Sequence, residues 1–121
     1  MKIDRKRVLN KFGSRCGYCG SEIDITSMQI DHIIPIYRNS SNEELKRMNV
    51  VRGTNEYSNL MPSCKKCNNY KKTMSVETFR NEMQKQVERL RKYSSNYHFA
   101  KSFGLVEETN KQVVFYFEKY D

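Results

Sequence analysis

The chain has 121 residues, enough for one domain and a small appendage. Only 37% of them are hydrophobic and 30% are charged, so a core is possible but modest, and domains of this size often lean on a metal. No apolar run approaches the roughly 18 residues of a membrane span. No apolar stretch follows Met1-Lys2-Ile3-Asp4-Arg5, so a signal peptide is not expected either. The expected address is cytoplasmic, where thiols stay reduced and paired Cys-x-x-Cys motifs bind metal more often than they form disulfides.

The formal net charge of +8 is unevenly spread. Residues 1–20 are net +5 and residues 64–101 net +7, while residues 21–63 and 102–121 are each net −2. Two basic blocks around an acidic-leaning middle suit a polyanionic partner, nucleic acid first.

In chain order, Asp4 can cap a short helix that runs to about Phe12 and ends at Gly13. Cys16-Gly17-Tyr18-Cys19-Gly20 reads as a metal knuckle, its glycines allowing the tight turn that points sulfurs inward. Ile23, Ile25, Met28, Ile30 and Ile33 read as strand material about a Thr26-Ser27 turn. Residues 38–58 read as a long loop with a helical turn at Asn42–Met48. Asn59 to Pro62 is a short extended piece, and a helix begins at Cys64. From Ser75, the spacing of Val76, Phe79, Met83, Val87 and Leu90 predicts one amphipathic helix with a basic opposite face. A short helix from Tyr97 ends at Gly104. The alternation of Val113, Phe115 and Phe117 then predicts a C-terminal β-hairpin about Thr109-Asn110.

Two Cys-x-x-Cys pairs, Cys16/Cys19 and Cys64/Cys67, stand 44 residues apart. Four thiols so arranged can close one tetrahedral site, and structural zinc is the expected occupant. Closing it draws the enclosed Asp31, Asn59 and the following Asn68 toward one place. Asp31-His32 sets a hard oxygen ligand beside an imidazole able to take a proton near neutral pH.

Ile30-Asp31-His32-Ile33-Ile34-Pro35, followed by Ser58-Asn59-Leu60-Met61-Pro62-Ser63-Cys64-Lys65-Lys66-Cys67-Asn68-Asn69-Tyr70-Lys71, resembles the HNH endonuclease family, in its zinc-stabilised, phage-like form. The resemblance runs from about Arg15 to Thr73. It implies an α+β fold, a ββα-metal (HNH, His-Me finger) core stapled by a four-cysteine zinc site and flanked by helices and the C-terminal β-hairpin. The expected divisions are an N-terminal helix (1–14), a nuclease core (15–74), a basic amphipathic helix (75–95) and a helix-hairpin extension (96–121).

The resemblance further implies that His32 is the general base and that Asn59 holds its ring by a hydrogen bond. Asp31 and Asn68 would bind one catalytic divalent ion. The third motif position is Asn68 rather than the frequent His, a His-Asn-Asn variant whose oxygen ligands favour Mg2+ or Mn2+. Products would carry 5′-phosphate and 3′-hydroxyl ends. Lys71, Lys72, Arg80, Arg38 and Arg52 are the expected DNA contacts. DNA is the expected partner, without a membrane, in a microbial or phage-infected cell. A homodimer or a phage or restriction assembly could complete the activity. The alternative is a non-catalytic zinc-containing module or accessory subunit that binds nucleic acid through its basic faces.

Overall fold

A computed structural model describes residues 2–120. Asp4 caps helix α1 (Arg5–Leu9) by accepting from the Arg7 N–H, and the chain tightens through a 3-10 turn to a left-handed Gly13. The knuckle follows. The Gly20 N–H donates to the Cys16 carbonyl at 2.9 Å, and Gly20 sits at φ 81, a conformation cheap only for glycine.

Strand structure is shorter than the pattern of isoleucines predicts. The Asp24 carboxylate accepts from the Thr26 and Ser27 N–H groups and from the Thr26 hydroxyl, closing an Asx turn where strand was expected. Ile23 and Met28 instead pack with Val8 and Leu60 in a small core. Strand β1 is confined to Gln29–His32.

Helix α2 (Asn42–Arg47) forms within the long loop, where Ser41 and Glu44 make a reciprocal capping box. A 3-10 turn at Tyr57–Asn59 leads into strand β2 (Leu60–Ser63). The two strands pair antiparallel, Gln29 opposite Ser63 and His32 opposite Leu60. Helix α3 (Lys65–Lys71) follows at once, completing the ββα unit expected from the sequence. A two-stranded sheet is marginal by itself. Here it is braced by the knuckle, whose Gly17 N–H donates to the Pro62 carbonyl, and by the Lys11 ammonium, which donates to the Tyr57 and Leu60 carbonyls.

The single basic helix expected over 75–95 is two helices. Helix α4 (Val76–Gln84), capped by Ser75, stops at Lys85, and helix α5 (Gln86–Tyr93) continues beyond the break. The apolar stripe splits with it. Phe79 is buried, with Val76 and Met83 packed around it, whereas Val87 and Leu90 stay exposed. Helix α6 (Ser95–Ser102) follows the extended Ser94.

The predicted C-terminal hairpin is absent. Residues 105–115 contain no strand, and the chain ends in a short helix α7 (Tyr116–Lys119). The alternating aromatics of this segment pack into the core instead of forming a second strand. Phe115 lies stacked on Phe79 at 5.3 Å, and Tyr18 meets both rings edge-on. The tail's backbone groups find partners outside a ladder. The Tyr116 and Phe117 N–H groups donate to the Tyr18 and Gly17 carbonyls, and the Gln84 amide bridges Lys111 and Val113. No helix among the described residues is long and apolar enough to cross a membrane.

The segment before α7 is tied back by Glu108, which accepts from the Tyr97 hydroxyl at 2.5 Å, from Arg91 at 3.0 Å and from Lys101 at 3.1 Å. The Tyr97, Arg91 and Lys101 bonds hold its carboxyl down at about 2, against an ordinary 4.5. A depressed acid stabilises the fold above its ordinary value, and that contribution fades as pH falls from there toward about 2. Glu108→Gln is therefore expected to speed amide exchange in α6 by the same factor at pH 6 and pH 8, read by hydrogen–deuterium exchange.

Candidate active site and zinc centre

The four cysteine sulfurs all lie within 4.8 Å of one another, with Cys19 and Cys64 at 3.8 Å. A zinc–thiolate tetrahedron with bonds of about 2.3 Å has sulfur–sulfur edges of about 3.75 Å, so the cluster fits one zinc ion. Both halves are prepared locally. The tight turn at Gly20 brings the knuckle sulfurs in, and Cys64 caps α3, its sulfur accepting from the Cys67 N–H. A hydrogen bond from Cys67 pulls the Cys16 thiol well below its ordinary value despite burial, and a bound cation would deprotonate the whole set.

Closing that site delivers Tyr18 to the inner face of β1. Asp31 points inward there and is only 3% exposed. Its Oδ2 accepts from the Tyr18 hydroxyl at 2.5 Å, and the Lys71 ammonium lies 3.0 Å from Oδ2 and 3.3 Å from Oδ1. Lys71 also reaches the His32 carbonyl at 3.4 Å. Burial raises the Asp31 carboxyl above its ordinary range, with the Tyr18 and Lys71 bonds pulling the other way. Burial and the neighbouring carboxylate push the Tyr18 phenol up, so it remains a donor.

Lys71 corrects the sequence expectation of a DNA contact. Its side chain is wholly buried, because α3 turns it under β1 to neutralise Asp31. Arg80 departs in the same way. It pairs with Glu118 at 2.6 Å and with Glu77, donates to the Val113 carbonyl and stands 4.7 Å over the Phe115 ring, so it fastens the tail. Arg52 donates to the carbonyls of Ile36, Tyr37 and Ser40 and to the Asn42 amide oxygen, which makes it a loop clamp. Arg38 and Lys72 do reach a cleft of about 280 Å³, which Asp31, His32, Asn68 and Tyr37 also line.

Asn59 is brought near His32 but does not touch its ring. The amide is buried beneath the chain that follows β1: its oxygen accepts from the Ile34 N–H, and its nitrogen donates to the Ile34 and Thr54 carbonyls. The ring partner is Asn55, whose Oδ1 lies 2.7 Å from His32 Nε2. Sequence reading missed Tyr18, Lys71 as a counter-ion, and Asn55. Tyr18 carried a signal, being the large residue enclosed in a metal knuckle; Asn55 sits in a loop with no motif of its own.

Residues 16–73 match the family described as HNH endonuclease. Those residues are an HNH endonuclease domain. The family places the domain in nuclease-type, nucleic-acid-cleaving chemistry, and the four-cysteine cluster could hold a structural zinc. The chain is also similar to the crystal structure of the Type II-C Cas9 enzyme from Actinomyces naeslundii, at 22% identity and a TM-score of 0.49. That similarity covers 81% of this chain and 11% of the other. Comparison with curated proteins gave no match.

Two outcomes follow from the HNH domain's construction. Structural zinc in small peptides is worth on the order of 10–16 kcal/mol; strong chelation is expected to unfold the domain, seen as loss of the far-ultraviolet helical signal and its return with added zinc. Lys71→Met strands the Asp31 charge and is expected to cost about 3–5 kcal/mol in urea unfolding at saturating zinc. Adding Asp31→Asn to Lys71→Met should recover most of that loss.

Proposed function

We propose that this protein is a metal-dependent DNA endonuclease that hydrolyses phosphodiester bonds to 5′-phosphate and 3′-hydroxyl ends. The observation that carries this reading is the convergence of Asp31, His32 and Asn68 on one open cleft with Arg38 and Lys72 at its edge. An anionic backbone entering the cleft would meet cations at the rim and an imidazole beside the carboxylate.

Asp31 and Asn68 would hold one divalent ion. Their donors are oxygens, which suits Mg2+ or Mn2+, and Asp31 Oδ1 accepts from Lys71 alone, which leaves it a free lone pair. When bound, such an ion supplies charge stabilisation at the phosphate and the departing 3′-oxygen. His32 takes the proton of the attacking water as its oxygen bonds to phosphorus. The bond from phosphorus to the 3′-oxygen breaks, and that oxygen takes a proton from solvent. Asn59 keeps the chain at Ile34 fixed, so the strand end bearing His32 does not drift.

The nuclease unit in this reading is residues 15–74, and the helices and tail beyond it are bracing. One such site cuts one strand, so cleavage of both strands would need a second copy or an assembly partner. A non-catalytic nucleic-acid-binding module is the competing reading, and one observation favours it: Asp31 already carries a cation, Lys71.

Supercoiled plasmid with Mg2+ or Mn2+ decides between them. Wild type is expected to nick it and His32→Ala to fall at least about 100-fold, within the range for loss of a general base. Equal nicking by the two would remove His32 from the mechanism. Tight plasmid binding without cleavage under either ion would favour the module.

A further inference from the structure

The loop at residues 52–56 is fixed far more firmly than an exposed connection requires. The Arg52 guanidinium holds three carbonyls and an amide oxygen on the far side of the loop. The Gly53 N–H donates to the Pro35 carbonyl at 2.8 Å. Gly53 itself lies flush on the chain that follows β1: a Cβ there would fall 1.7 Å from the Ile34 carbonyl oxygen and 2.9 Å from Asn59 Nδ2. Thr54 gives its carbonyl to the buried Asn59 amide at 2.8 Å, and its hydroxyl accepts from the Glu56 N–H. The residue between these anchors is Asn55, and its side chain meets His32 Nε2.

We propose that Asn55 is the positioning residue of the nuclease site, and that the Arg52, Gly53 and Asn59 clamp exists to present it. The inference rests on the reading of His32 as general base. An amide oxygen only accepts, so the bond requires the proton on Nε2. Nδ1 is then the unprotonated ring nitrogen, and it has no hydrogen-bond partner among the described residues. A neutral imidazole held this way offers one fixed base and cannot present the wrong nitrogen to water. Asn59 acts on the ring at one remove, tying Thr54 to Ile34 from beneath.

The protein carries only two histidines, His32 and His98, so ring resonances are assignable with His98→Gln. The test is imidazole ¹H–¹⁵N spectroscopy of the zinc-loaded full chain, with no Mg2+ or Mn2+ and no DNA, at alkaline pH. Wild type is expected to show a slowly exchanging His32 Nε2–H. Asn55→Ala should lose it while the far-ultraviolet spectrum and melting curve stay in place. Asn55→Asp, which keeps an acceptor, should retain it. Gly53→Ala, which leaves Asn55 untouched, should weaken it by displacing the loop.

A His32 proton on Nδ1 in wild type, or an Nε2–H unchanged in Asn55→Ala, would overturn the assignment. Plasmid cleavage supplies the second readout: Asn55→Ala is expected to lose about 10- to 100-fold in kcat, the usual range for removing a supporting partner, with KM little changed. An equal loss in Asn55→Asp would overturn a role through the acceptor. If no variant cleaves, wild type included, but the spectra follow the expected order, the nuclease reading fails and the positioning of His32 by Asn55 stands.

Discussion

Four sulfurs within 4.8 Å tie the knuckle at Cys16–Cys19 to the first turn of α3, and almost everything around the cleft is arranged by that closure. The sheet it supports has only two strands of four residues, too little to stand alone. The knuckle contributes more than a metal site. It lays Gly17 against the Pro62 carbonyl, offers the Gly17 and Tyr18 carbonyls to the tail, and sends Tyr18 across the core to Asp31. One closure therefore fixes strand, helix and tail together.

The second constraint is charge. A carboxylate 3% exposed is expensive unless paired and hydrogen-bonded, and here it has both an ammonium and a phenol. Lys71 and Tyr18 come from different elements, one from α3 and one from the knuckle. Asp31 can be held at the cleft only while both are in place. The same device explains why α3 carries a lysine inward, against the preference of that residue for solvent.

Much of the net positive charge is spent internally. Arg5 donates to the Ile25 and Met28 carbonyls, Arg7 covers the Tyr57 ring, and Arg80, Arg89 and Arg91 pair with glutamates. Of the remaining exposed cations, Arg38 and Lys72 line the cleft, and Lys65 and Lys66 lie on α3. Net charge and its distribution thus carry different information. The +8 suits a polyanionic partner, while the pairing of individual arginines decides which surface could meet one.

The amino-acid sequence by itself determined the four-cysteine cluster, the ββα unit and the neighbourhood of Asp31, His32 and Asn68, because metal-ligand spacing and a short motif are local and survive any arrangement of the rest. It also determined the caps at Asp4 and Ser75. It could not determine where an alternating aromatic run would find partners: Phe115 and Phe117 have the period of a hairpin, but Tyr18 and Phe79 offered a better surface than a second strand. It could not show that Lys71, Arg52 and Arg80 face inward, since a basic side chain reads the same whether it meets a phosphate or a buried carboxylate. Nor could it separate Asn59 from Asn55. Which asparagine grips the backbone and which meets the imidazole depends on how a loop folds back over a strand end, and only the tertiary structure decides that, through contacts between residues 20 or more apart.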